Sequence, residues 1–282
     1  MVDLGFSLQA QYDLSFSQAI VLLNNAGFSA VSPIWSPDLA LETLATCVQK
    51  HNMTIQSLHA PHGGLAYLWN SKDPLSVQAQ RNITDCIDAC AQFQIPITVV
   101  HGWQGLIYTF PKEPLDFSVF DRIVDHADQK KVSIAFENLE GEEYLDALMA
   151  HFAGNDTVGF CWDSGHEMCY NHSQDLLAKY GDRLLCTHLN DNLGIKAYDG
   201  TITWLDDLHL LPFDGIADWT YNAKRLAKCN FRDVLTFELT VKSKPGRHDN
   251  DAYGQMPFER YVAEAYKRAC RFGAMVLAEE NL

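Results

Sequence analysis

The sequence predicts an α/β chain folded as one (β/α)₈ barrel, a single domain over residues 1–282. Three observations predict it. Eight short apolar segments alternate with longer amphipathic ones, no linker or low-complexity tract interrupts them, and nearly every apolar segment ends in a charged residue or histidine.

Residues 4–8 (LGFSL) read as the first strand. A helix follows from about Ser15, with Ile20 and Leu23 turned inward and Gly27 placed to end it. Residues 28–34 form a second strand, 38–50 a second helix and 54–59 a third strand. Ile83, Ile87 and Cys90 recur at four- and three-residue steps, the buried stripe of the next helix. Strands four to eight fall at residues 97–101, 132–138, 158–163, 184–189 and 234–240, with a last helix over about 257–272. Strands separated by helices imply parallel pairing, and eight such units favour a closed barrel over a doubly wound sheet. The strands are apolar along most of their length, as expected where both faces are covered.

Composition narrows the function classes. A chain of 282 residues, 47% of them hydrophobic, can bury one core. No run of about eighteen apolar residues exists, which argues against a membrane span, and the N-terminus lacks the basic-then-apolar pattern of an export signal. A cytoplasmic protein is expected. The eight cysteines include no CxxC pair. Cys86 and Cys90 share a helix face, but no second pair completes a zinc site, so reduced thiols packed in the core are expected. A net charge of -15 argues against a nucleic acid partner, whose phosphates call for a basic surface.

The polar strand ends carry the chemistry. Strand three ends Ser57-Leu58-His59, strand four Val99-Val100-His101 and strand five Ala135-Phe136-Glu137-Asn138. Strand six ends Cys161-Trp162-Asp163, strand seven Cys186-Thr187-His188 and strand eight Thr236-Phe237-Glu238. In a parallel barrel these ends meet at one rim. Carboxylates and imidazoles gathered there would strand buried charge unless a cation neutralised them. Oxygen and nitrogen donors without thiolate suit zinc, manganese, cobalt or iron. No organic cofactor is expected. Trp35, Tyr67, Trp69, Trp103 and Tyr108 fall in or near the rim loops, where an aromatic ring can stack on a bound ligand. His51, His126, His151, His172 and His248 fall away from the strand ends and are expected at the surface, while His62 stays undecided.

With these strand ends in view, the chain resembles the xylose isomerase-like barrel superfamily of sugar isomerases and epimerases, inosose dehydratase and endonuclease IV. The resemblance covers almost the whole chain. Its most specific parts are Leu58-His59-Ala60-Pro61-His62, Phe136-Glu137-Asn138-Leu139, Trp162-Asp163-Ser164-Gly165-His166 and His188-Leu189-Asn190-Asp191. The turn Asp207-Leu208-His209-Leu210-Leu211-Pro212-Phe213-Asp214-Gly215 adds to them. The ketose 3-epimerase branch holds one metal on Glu, Asp, His and Glu from strands five to eight. The matching positions are Glu137, Asp163, His188 and Glu238, with the two glutamates as the acid–base pair and His166 on the substrate. That branch also carries an arginine shortly after the metal histidine. Here the chain reads Asn190-Asp191-Asn192-Leu193-Gly194-Ile195-Lys196, a departure that counts against a free-ketose 3-epimerase. The endonuclease IV branch holds three zincs, and its pattern adds His59, His101, His166, Asp207 and His209.

The expected function is a metal-dependent isomerase or epimerase of a small sugar or sugar phosphate. Glu137 and Glu238 would exchange the proton next to a carbonyl through an enediolate. His166, His59, His101 and Trp103 would contact substrate. The alternatives are a multinuclear zinc phosphodiesterase of the endonuclease IV kind and a lyase of the inosose dehydratase kind. The loops after strands three and four carry only Lys72 and Lys112, too little cation for DNA. Lys242, Lys244 and Arg247 form the basic cluster at the rim, where barrels often bind phosphate. By analogy, pairing of copies through loops and outer helices is expected.

Overall fold

A computed structural model describes residues 2–8, 14–112, 114–195 and 203–280. Lys196, in the segment that departs from the epimerase pattern, lies outside them. Eight parallel strands form a ring. They are β1 (Leu4–Leu8), β2 (Ala30–Pro33), β3 in two pieces (Thr54–Ile55 and Ser57–His59), β4 (Ile97–His101), β5 (Ser133–Glu137), β6 (Val158–Asp163), β7 (Leu184–His188) and β8 (Leu235–Phe237). The first piece of β3 pairs with β2 and the second with β4, so the break at Gln56 hands the ladder from one neighbour to the other. Two single bridges complete the ring, Ile34 to His59 and Leu189 to Phe237, and β8 pairs in turn with β1. The sheet therefore closes on itself, as the alternation of strands and helices predicts.

Helices fill the connections: α1 (Phe16–Ala26), α2 (Leu41–Lys50), α3 (Pro74–Gln92), α4 (Ser118–Lys130), α5 (Glu142–His151), α6 (Ser164–Cys169), α7 (Leu176–Tyr180), α8 (Trp219–Lys228), α9 (Asp251–Gly254) and α10 (Phe258–Glu280). Helix α1 starts at a Ser15–Gln18 capping box and stops where Gly27 takes φ 116, a left-handed conformation that a side chain would resist. The last helix runs eight residues past its expected end at Phe272. Gly273 lowers helix propensity there, yet it is buried beside Val2 and Leu4, and that contact outweighs the intrinsic cost.

The core has two unequal parts. A large layer between the ring and its helices holds Phe6, Phe28, Phe136, Phe160, Trp162 and Phe237, all fully buried. Inside the ring sits a small cluster of Ile97, Val99, Ala135, Cys161 and Cys186. All eight cysteines are free thiols, as expected, but only five are buried: Cys270 is exposed and Cys47 and Cys229 are half-buried. Among the described residues no helix is long and apolar enough to cross a membrane.

Candidate metal centre at the barrel mouth

The site follows from the two-residue repeat of a strand. Side chains two apart share a face, so the residue two beyond each small inward side chain also points into the ring. Val99 leads to His101, Ala135 to Glu137, Cys161 to Asp163 and Cys186 to His188. Ser57 and Thr236 lead likewise to His59 and Glu238. The apolar filling of the barrel thus ends in one layer of six donors, all of them buried.

Ligand atoms of Glu137, Asp163, His188 and Glu238 all lie within 4.8 Å of one another. His188 Nδ1 stands 3.0 Å from Glu137 Oε1 and 3.1 Å from Glu238 Oε2. Asp163 is fixed from both sides: Asn190 Nδ2 donates to its two oxygens at 3.1 and 2.9 Å, and the backbone N–H of His166 donates to Oδ1 at 2.7 Å. Asn138 donates to the Asp163 carbonyl at 2.9 Å and accepts from the Asp163 N–H at 2.8 Å. These amides orient the carboxylate toward the other donors.

Two further donor groups flank the first. His59 Nε2 and His101 Nε2 lie 3.1 and 3.0 Å from Glu137 Oε2, so Glu137 belongs to both neighbourhoods. On the other side His166 Nε2 and His209 Nε2 lie 3.5 and 3.0 Å from Asp207 Oδ2. These three residues also form a compact donor group. Asp207 is held there by a loop built on Asp191. Backbone bonds of 2.9 Å join Asp191 and Leu210 in both directions. The Asp191 carboxylate accepts from the N–H groups of Phe213 and Ala217 and from the Trp219 indole at 2.8–3.0 Å.

Electrostatics match a place for a cation. Burial opposes charge on Glu137, yet His188 and His101 hold it well below the usual carboxylate range. Burial also opposes charge on His188, while Glu137 and Glu238 hold its pKa well above the ordinary imidazole value. His209 is pushed up to about 9 by Asp207 and Glu238 against the effect of burial. Asp163 moves the other way, up to about 6, because burial outweighs its imidazole neighbours. Protons on imidazoles balance the carboxylates in this arrangement, and a divalent cation does the same without them. Asp207 Oδ1 is a buried acceptor with no hydrogen-bond partner among the described residues. The donor set is compatible with zinc, manganese, cobalt or iron.

The mouth above these donors encloses about 280 Å³. Its lining includes the expected His59, His101, His166 and Asp207, together with residues the sequence reading missed: Gln104, Glu140, Tyr170 and Trp204. His62 joins them, its Nδ1 3.2 Å from His101 Nδ1, and burial beside two imidazoles pushes its pKa down to about 3. The strand-end rule could not find these, since they sit on loops. The expected aromatics fall elsewhere. Trp103 stacks on Tyr144 at 4.3 Å and 6°, and Trp69 packs among Phe117, Phe120 and Tyr144 while donating to the Gly102 carbonyl. The rim cations also part company. Arg247 is consumed by Asp206 and Asp249, at 2.9 and 2.8 Å, leaving Lys244 at 3.8 Å from Asp207 as the one nearest the donors.

Comparison with known proteins bears on the fold and the family. The uncharacterized protein y4fM of Sinorhizobium fredii (strain NBRC 101917 / NGR234) is 29% identical over 308 aligned positions, covering 92% of this chain and 93% of that protein. Among solved structures, the IolI protein with a bound zinc atom superposes with a TM-score of 0.72 at 19% identity, over 98% of each chain. The D-psicose 3-epimerase of Clostridium cellulolyticum H10, solved with D-tagatose, gives a TM-score of 0.65 at 14% identity, over 98% of this chain and 99% of that one. The model of one family, the xylose isomerase-like TIM barrel, matches residues 20–257, and this chain belongs to that family.

Proposed function

We propose that this barrel is a divalent-metal-dependent isomerase or epimerase of a small carbohydrate, acting by proton removal next to a carbonyl. One observation carries the reading: three carboxylates and an imidazole converge at the base of a mouth of about 280 Å³, a space for one small molecule. The epimerase among the structural relatives supports it.

Glu137, Asp163, His188 and Glu238 would hold the ion, which supplies Lewis acidity to a carbonyl and its neighbouring hydroxyl. Glu137 and Glu238 reach the mouth from β5 and from the residue after β8, and their imidazole neighbours keep both ionised, the state a base requires. One ionised carboxylate would take the α-proton; for isomerisation the same group would hand it to the neighbouring carbon, and for epimerisation the other glutamate, first protonated from solvent, would give its proton to the opposite face. Asp163 and His188 fix the geometry, and His166 holds a substrate hydroxyl. Nothing in this scheme demands a sugar phosphate: among the described residues the rim lysine nearest the donors, Lys244, already faces Asp207 at 3.8 Å and the Trp204 ring. The same proton removal would also serve a lyase.

The metal-loaded protein, offered a panel of ketoses and aldoses in deuterated solvent, is expected to incorporate deuterium next to the carbonyl. Glu238→Gln should abolish the exchange. Absence of uptake across the panel sinks the reading. A second reading, a multinuclear phosphodiesterase, is favoured by the two flanking donor groups. Three metals per chain by elemental analysis together with nicking of abasic-site DNA would establish it instead.

A further inference from the structure

Beside the mouth lies a larger groove of about 720 Å³. The two adjoin: Glu140 and Tyr170 line both, and the consecutive residues Thr203 and Trp204 line one each. The groove's outer wall is the loop after β4, and it is built rather than loose. Trp103 lies flat on Tyr144, and Tyr108 packs on both rings at 5.4 and 5.7 Å. The Tyr108 hydroxyl donates to Glu143 at 2.5 Å, the Gly105 N–H to Glu140 at 2.7 Å, and the Trp103 indole to the Gly105 carbonyl at 2.9 Å.

This wall presents two kinds of surface. Leu106 and Ile107 turn apolar side chains outward, Ile107 being 100% exposed, and Tyr108 and Tyr170 add ring faces. The carboxylates of Glu140, Glu142, Glu143 and Asp146 line the same groove, Glu140 and Glu143 tied to this wall through Gly105 and Tyr108. Lys179 neutralises part of this charge, at 2.6 Å from Asp146 and 3.8 Å from Glu142, and among the described residues no lysine or arginine lines the groove itself. Carboxylate acceptors beside apolar side chains suit a ring with hydroxyls on its edge and C–H groups on its face. An anionic group would be repelled.

We propose that the substrate extends from the mouth into this groove, so that the enzyme acts on one unit of a neutral glycoside while a second sugar ring lies against Ile107, Tyr108 and the carboxylates. The proposal rests on the carbohydrate reading above and names the class of substrate that site would take. Three features meet in it: the groove adjoins the donor cluster, holds more than twice the mouth's volume, and sets carboxylate acceptors beside apolar side chains.

Calorimetric titration of the metal-loaded protein with the reducing disaccharides cellobiose, maltose, lactose and lactulose, each compared with its constituent monosaccharides, tests it. At least one disaccharide should bind roughly tenfold tighter than either of its units. Ile107→Asp, at a side chain too exposed to affect folding, and Glu143→Gln should bring that ratio down to about one. Disaccharides that bind no tighter than monosaccharides overturn the proposal, as does a ratio that both variants leave unchanged. Selective binding of a chitosan disaccharide that high salt abolishes overturns the neutral assignment in favour of a cationic ring. Failure here is distinct from failure of the isomerase reading, which the deuterium exchange decides separately.

Discussion

Glu137 turns its two oxygens into two different neighbourhoods, Oε1 toward His188 and Oε2 toward His59 and His101. Such a residue works only if its neighbours are fixed, and the neutral amides around Asp163 show how fixing is done. Asn190→Ala removes both hydrogen bonds to the Asp163 carboxylate. Metal affinity should drop about 10–100-fold in a competition titration against a chelator, the usual effect of losing such a partner. Gly165 reaches the same place by another route. A Cβ there would collide with the Asn190 side-chain oxygen, so Gly165→Ala should cost about 1–3 kcal/mol in urea unfolding and weaken metal binding alongside. At this scale the sequence was legible wherever the residue ends a strand. His62, Glu140 and Trp204 were not legible, because nothing local to a loop residue says which way it faces.

At the scale of elements, the strands were read closely. Residues 4–8, 97–101 and 158–163 coincide with β1, β4 and β6, and 132–138 brackets β5 by one residue on each side. The break in β3 at Gln56 was not foreseen. Its cause is tertiary: the Gln56 side chain donates to the Val234 carbonyl at 3.1 Å and meets Thr236, tying β3 to the foot of β8. The loop after β7 shows a further device. Asp191 gathers the chain that carries Asp207 and His209, placing the third donor group against His166. On the multinuclear reading, Asp191→Ala should weaken metal binding at His166, Asp207 and His209 about 10–100-fold while the Glu137, Asp163, His188 and Glu238 group keeps its ion. Elemental analysis after dialysis against a weak chelator, read beside the wild type, checks it. Equal loss from both groups would mean that the loop supports the whole mouth rather than one side of it.

Across the whole molecule, four buried carboxylates (Glu137, Asp163, Asp207 and Glu238) stand at one end of a chain whose net charge is already -15. Binding a cation there stabilises the folded state by about 2.7 kcal/mol at a free concentration one hundred times the dissociation constant. For a chain somewhat larger than 250 residues that amounts to a rise in Tm of roughly 4–5 °C. Thermal melts with metal and with excess chelator should differ by this amount, and coincident melts would show that the donors hold no ion.

The sequence by itself determined the barrel and the identity of its donors. Both are consequences of local periodicity: a strand presents every second residue to the ring, so an inward apolar residue followed two places later by Glu, Asp or His declares a donor at the rim. Tertiary structure alone decided how those donors group, with Glu137 shared between two of the groups and His166, Asp207 and His209 standing apart. It also decided that Trp204, and not Trp103, lines the mouth, and that a second, larger groove adjoins it at Glu140 and Tyr170. The physical reason is the same in each case. Loop side chains are placed by contacts with residues far away in sequence, and no period along the chain encodes those contacts.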